Sequence, residues 1–193
     1  MTGDPAGSIR PFYADWAGYD RRIADGLEAL AADDLALRAP DSEHWPIWAI
    51  AAHMAGTRIF WLCEIFGEPG ADRMPFYEPG GMGWEDHPET PRSGAEVAGA
   101  LRSSWSVIDG CLERWTPAML EERFERRRRG GSPESHTRQS ILLRMITHEA
   151  YHLGEINIAL GSNGRTPIDL WPASDWAPEA PRSLREGPAR PAP

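Results

Sequence analysis

Apolar side chains recur at steps of three and four residues in four stretches of the chain, the spacing of helices with one buried face. The first runs from about Phe12 to Ala32 and carries Trp16, Tyr19, Ile23, Leu27 and Leu30. The second opens after Asp41-Ser42 and runs from about Pro46 to Phe66, with proline where the first helical turn tolerates a missing N–H and Gly67 as its stop. The third starts at Ser93-Gly94-Ala95-Glu96, a serine–glutamate pattern that satisfies two orphan amides reciprocally, and continues through Val97, Leu101, Trp105, Ile108 and Leu112 to about Trp115. The fourth runs from about Thr137 to Leu160, before Gly161.

Four amphipathic helices predict an all-α fold, a four-helix bundle. Between the second and third helices lie 26 residues rich in Gly and Pro, Gly67 to Arg92. Structureless connections rarely exceed about 12–15 residues, so this one either spans the bundle or covers a site. A short extra helix is expected after Thr116-Pro117, and no strand pattern is long enough to build a sheet. From Pro172 onward proline, alanine and charge dominate. The expected division is a helical domain over residues 1–171 and a Pro-rich tail over residues 172–193.

Composition removes several function classes. The formal net charge is −9, which argues against a general nucleic-acid or anionic-membrane partner. Every basic residue is arginine, so neither lysine Schiff-base chemistry nor a Walker-type phosphate loop is available. The N-terminus lacks the apolar run of a signal peptide, and no stretch approaches the roughly 18–20 apolar residues of a membrane span. Cys63 and Cys111 are too few for a disulfide framework and lack CxxC spacing. A reduced, cytoplasmic protein is expected.

The candidate chemistry lies in the fourth helix, where residues 148–155 read HEAYHLGE. His148 and His152 stand one helical turn apart and about 40° around the axis, so both imidazoles can meet one ion. Their stripe reads Ile141, Met145, His148, His152, Glu155, Ala159, the inward face of a bundle helix. The first five letters also fit the zinc-peptidase signature HExxH. That chemistry needs a third ligand downstream, yet Glu155 and Ile158 stand where the extended metzincin motif has glycine and histidine. The later glutamates, Glu179 and Glu186, lie in the Pro-rich tail, so peptidase activity is not expected. Upstream, the second-helix stripe Ile50, His53, Thr57, Phe60, Glu64 offers a single histidine to complete a three-histidine site.

The stretches WPIWAIAAHM and TRQSILLRMITHEAYHLGEINIALGSNGRTPIDL, together with FYADWAGYDRRIADGLEAL and SWSVIDGCLERWTP, resemble the DinB-like (DinB/YfiT-like putative metalloenzyme) superfamily over about residues 11–171. The resemblance implies an up-down-down-up four-helix bundle and a divalent ion, commonly zinc or nickel, on His53, His148 and His152. It also implies a homodimer. Characterised relatives include mycothiol-dependent maleylpyruvate isomerase and bacillithiol- or glutathione-type S-transferases. Many relatives carry a further histidine immediately after the pair, where this chain has Leu153.

The functional expectation is a metal-dependent enzyme that uses a low-molecular-weight thiol, held as a thiolate, to attack a small electrophile. Metal-dependent hydrolysis and metal binding without turnover are the alternatives. Glu149 is a candidate general base and Glu155 a candidate partner of a ligand imidazole, while Trp84, Arg138 and Tyr151 are candidates for touching the small-molecule substrate. Arg126 to Arg129 read as a solvated basic segment, whose exposed pairs on a helix would be Glu122–Arg126 and Glu125–Arg129, though an anionic thiol or carboxylate could be drawn to these arginines. Trp16, Trp48, Trp61, Trp105 and Trp115 are expected in the core, Cys63 as a buried inert thiol, and His44, His87 and His136 on the surface.

Overall fold

The computed structural model of the chain describes residues 7–40, 45–127 and 131–172. The second apolar stretch becomes α3 (Ile47–Ile59), which is apolar almost all round and buries nearly every side chain from Ile47 to Ile59. A helix without a polar face belongs in the interior. Accordingly α3 packs on both α4 (Gly94–Arg114) and α5 (Arg138–Ser162), and α4 packs on α1 (Trp16–Glu28). At its C-terminal end α3 widens into a π-helical segment, Phe60–Ile65.

The ends of α4 and α5 follow their capping residues. Ser93 Oγ accepts from Glu96 N, and Glu96 Oε2 accepts from Ser93 N at 2.8 Å. Thr137 and Ser140 repeat the exchange at the start of α5, at 3.1 and 2.9 Å. The first apolar stretch is not one helix: a 3₁₀ turn over Arg10–Tyr13 precedes α1, and α2 (Ala32–Leu35) follows once Ala31 turns extended. The expected short helix after Pro117 is a 3₁₀ turn, Ala118–Glu121.

Two antiparallel hairpins depart from the all-helical expectation. β1 (Tyr77–Glu78) pairs with β2 (Met82–Gly83) inside the long connection, turning through Gly80 and Gly81 at φ +95° and +82°. β3 (Arg123–Arg127) pairs with β4 (Pro133–Thr137) in register from Arg123↔Thr137 to Arg127↔Pro133. Half-buried Phe124 and Arg126 alternate with exposed Arg123, Glu125 and Arg127, the period of a strand. The helical pair Glu122–Arg126 therefore does not form, and Glu122 accepts from Arg138 instead. Arg128 and Arg129 lie outside the described residues, as do His44 and the tail from residue 173.

One buried cation joins the four long helices. Arg58 on α3, 1% exposed, donates to Asp20 on α1 at 2.6 Å, to Glu149 on α5 at 2.9 Å, and to the Leu101 carbonyl and Ser104 hydroxyl on α4 at 3.0 and 3.2 Å. Trp16 on α1 donates its indole N–H to the other oxygen of Glu149 at 2.9 Å. Burial pushes both carboxyls upward in pKa, and Arg58 pulls them back. Trp48, Trp61 and Trp115 are buried with Trp16, and Trp105 packs at the edge of the same core.

Candidate metal centre

α3 brings His53 to the face of α5 that carries His148 and His152. His148 Nε2 lies 3.1 Å from His53 Nε2 and 3.0 Å from His152 Nε2, and the three residues form a group able to hold a metal ion. Those separations are close to the roughly 3.3 Å edge of a tetrahedron built on metal–nitrogen bonds of about 2.0–2.1 Å.

The far side of two rings is fixed by carboxylates. His53 Nδ1 faces Glu85 Oε1 at 3.1 Å, and His152 Nδ1 faces Glu155 Oε2 at 2.6 Å. A ring nitrogen facing a carboxylate carries the proton, so in a neutral ring the opposite Nε2 keeps its lone pair. His148 Nε2 has one hydrogen at most to share between two such lone pairs. Three acceptors directed at one point are what a cation resolves. Burial, then the neighbouring imidazoles and Arg144, bring the His148 pKa down to about 3. Burial also lowers that of His152, with Glu155 opposing. Both rings are thereby held in the neutral, ligating form.

Glu85 is the site residue that the sequence reading missed. It sits in the 3₁₀ turn Trp84–Asp86 within the long connection, 6% exposed, with Oε2 lacking a partner among the described residues. Space for it depends on Gly83, where a Cβ would come within 2.5 Å of Glu85 Oε2 and 2.8 Å of the Phe76 carbonyl. No motif spacing points to such a residue, which shares neither helix nor periodicity with the histidines.

A cavity of about 360 Å³ opens beside the histidines, with His53 and His148 in its wall. Thr57, Phe60 and Trp61 continue the His53 side, Tyr77, Gly81 and Met82 come from the long connection, and Arg126 and Arg144 from β3 and α5. The Tyr77 hydroxyl donates to Glu64, which also accepts from Gly80 N at 3.0 Å, so the hairpin β1–β2 is tied to the end of α3.

A family model described as the DinB superfamily matches residues 17–156, the span that holds the three histidines, Glu85 and Glu155. The chain belongs to the DinB superfamily. Among solved structures, a DinB-like protein from Bacillus cereus ATCC 10987 is similar in fold at 20% identity, with a TM-score of 0.62, covering 84% of this chain and 97% of that one. No curated protein matches this DinB-superfamily chain.

Within this DinB-superfamily fold the remaining candidates separate. Glu155 stands beside His152 as described. Glu149 does not join the cluster: it is 5% exposed and its carboxylate receives Trp16 and Arg58 instead of facing the histidines. Position 149 lies about 100° around α5 from His148, on the side that packs inward. Trp84 stacks under Arg92 at 4.3 Å and against Phe76, outside the cavity wall that its neighbours Met82 and Glu85 line. Arg138 is buried against Phe66, Trp115 and Phe124 and is engaged by Glu122, a packing role in place of substrate contact. Tyr151 is 64% exposed, its ring edge-on to His152 at 5.1 Å, so it flanks the site from outside. His136 is half-buried against Trp61 and not a surface residue, whereas His87 is exposed between Glu78 and Glu89. Cys63 is buried, and desolvation pushes its thiol up to about 11.

Proposed function

We propose that the chain is a divalent-metal-dependent enzyme, an S-transferase or isomerase that presents a low-molecular-weight thiol to a small electrophile. His53, His148 and His152 hold the ion, zinc or nickel. The observation that carries this reading is the convergence of three Nε2 atoms beside an open cavity that has His53 and His148 in its wall. Three protein donors beside free space suit a catalytic site better than a closed structural one. Bound there, a divalent ion supplies a Lewis acid that lowers the pKa of a thiol or water.

The chain's own residues prepare the site. Glu85 and Glu155 fix ring orientation and tautomer from behind the ligands. Phe60, Trp61 and Met82 form an apolar wall that limits water around a bound substrate. A purely structural ion is less well supported, because Arg58 already ties α3 to α5 through Glu149. HExxH peptidase chemistry is unsupported, since the glutamate that would activate water is spent in that same network.

The proposal extends to a unit spanning residues 1–171 with up-down-down-up bundle order and residues 172–193 as its tail, acting in the cytoplasm on small molecules and not on nucleic acid or membrane. Among the described residues no helix is long and apolar enough to cross a membrane. A homodimer is part of the same reading: Leu143, Ile146, Tyr151 and Ile158 lie exposed along α5, on the surface a second copy would cover.

Elemental analysis of protein purified without added metal, followed by thiol-transfer and hydrolysis assays with the bound species, tests the proposal. One divalent ion per chain is expected in the parent, with loss of stoichiometric metal in His148→Ala and His152→Ala. Full metal retention in both variants overturns the ligand assignment. Turnover of hydrolysable esters without any thiol requirement replaces the transferase reading with the hydrolase one.

A further inference from the structure

The protein is acidic overall, yet the cavity beside the histidines is walled by two guanidinium groups. Arg126 reaches it from the inward-facing side of β3, and Arg144 from the turn of α5 that precedes His148. Both stand against the same indole: their Cζ atoms lie 5.2 and 5.1 Å from the Trp61 ring, and Arg126 is also 4.8 Å from Phe60. Trp61 is 3% exposed and cannot swing away, so each cation rests against a fixed ring at the cavity wall.

Neither guanidinium has an acidic partner among the described residues. The carboxylates around them are committed elsewhere. Glu85 faces His53, Glu64 holds Tyr77 and Gly80, and Glu134, directly across the hairpin from Arg126, contacts His136 at 3.4 Å. Elsewhere Arg10, Arg102, Arg114 and Arg165 meet carboxylates, and the exposed Arg21, Arg123 and Arg127 face solvent, whereas Arg126 and Arg144 turn to a cavity. In a chain with nine excess negative charges, two cations at one cavity wall with no carboxylate in ion-pair contact mark a place for an anion that is not part of the chain.

We infer that Arg126 and Arg144 form a carboxylate subsite over Trp61, which selects ligands that carry a carboxylate at one end and meet the three-histidine group with the other. This rests on the metal–thiol reading for the identity of that second end, and on the two arginines alone for the carboxylate. Each fork can take a carboxylate in two parallel N–H···O contacts, half-buried Arg126 from the hairpin and exposed Arg144 from α5, both lining the same cavity. The volume of about 360 Å³ suits a molecule of metabolite size and excludes a folded peptide segment. The carboxylate belongs either to the thiol or to its acceptor, and the two sources are separable by experiment.

Calorimetric titration of the full chain, with metal loaded and with metal stripped, tests this with three probes: 3-mercaptopropionate, its neutral amide 3-mercaptopropanamide, and butyrate. In the parent, 3-mercaptopropionate is expected to bind about tenfold or more tightly than its amide. Arg126→Gln and Arg144→Gln each remove most of that preference, and the double variant abolishes it, while metal content and amide affinity stay unchanged. Arg126→Lys and Arg144→Lys keep the charge without the fork and give intermediate affinity, which decides the matter should the glutamine variants fold poorly. If butyrate competes with 3-mercaptopropionate, the carboxylate belongs to the thiol; if butyrate binds together with the amide, it belongs to the acceptor. Arginine-dependent butyrate binding to metal-stripped protein upholds the subsite even where the metal reading fails. Equal binding of acid and amide in the parent, an undiminished preference in the double variant, or no measurable binding of any probe overturns the inference.

Discussion

Replacing Glu149 separates the structural reading of the HExxH glutamate from the catalytic one. In Glu149→Ala the Trp16 indole and the Arg58 Nε lose their acceptor, both inside the core. Breaking a buried ion pair from one side costs about 3–5 kcal/mol, because the remaining charge keeps its desolvation without its partner. Asp20 still neutralises Arg58 at 2.6 Å, which places the loss at the lower end, about 3 kcal/mol. For a chain of this size each kcal/mol moves the melting temperature by about 2–4 °C, so a fall of about 6–12 °C is expected. Glu149→Gln keeps one acceptor and should fall less. The assay is differential scanning calorimetry of parent and variants, paired with metal titration at a temperature where all remain folded. Metal affinity should stay within a few-fold of the parent, since the histidines and their carboxylate partners are untouched. An unchanged melting temperature, combined with lost thiol transfer at full metal occupancy, refutes this reasoning and restores the general-base role.

Three further outcomes are expected. Glu85→Gln removes the carboxylate behind His53 and should weaken metal binding by about 10–100-fold, measured by competition with a chromophoric chelator; Gly83→Ala should weaken it too, by displacing Glu85. Metal stripping should lower the melting temperature by an amount that grows with the free metal concentration it replaces, since an ion held only by the folded state stabilises it by mass action. Cys63, held protonated in the fold up to about pH 11, should alkylate slowly near pH 8 and faster as pH rises past the usual thiol range. The sign for stability follows: the folded thiol titrates above the unfolded one, so its contribution is whole below about pH 8.5 and is lost as pH climbs toward 11. Equal reactivity of native and unfolded protein at pH 8 would contradict the burial of Cys63.

The histidine cluster was legible because a helix converts spacing into direction. Steps of three and four put His148 and His152 on one stripe, and His53, Thr57 and Phe60 of the second-helix stripe reappear in the cavity wall. The same letters misled at Glu149, since a short motif fixes which residues are neighbours along a helix and not which neighbouring helix each one meets. Glu85 and Arg126 lie on a connection and a hairpin, where position depends on tertiary packing and no period exists to read. The arginine run meets glutamates at a four-residue spacing, as a helix would, but Phe124 anchors an alternating pattern that pairs with β4. Arg138 and Trp84 have side chains suited to substrate contact, but their packing depends on partners far along the chain.

The contact between Glu85 and His53 makes one ligand of the cluster answerable to the connection that roofs it. His53 keeps its ring angle only while the turn Trp84–Asp86 is seated, and that turn is continuous with the hairpin β1–β2 lining the cavity. A guest bulky enough to lift the hairpin therefore also unlatches an imidazole behind it. The connection thereby couples the width of the cavity to the geometry of the three-histidine group.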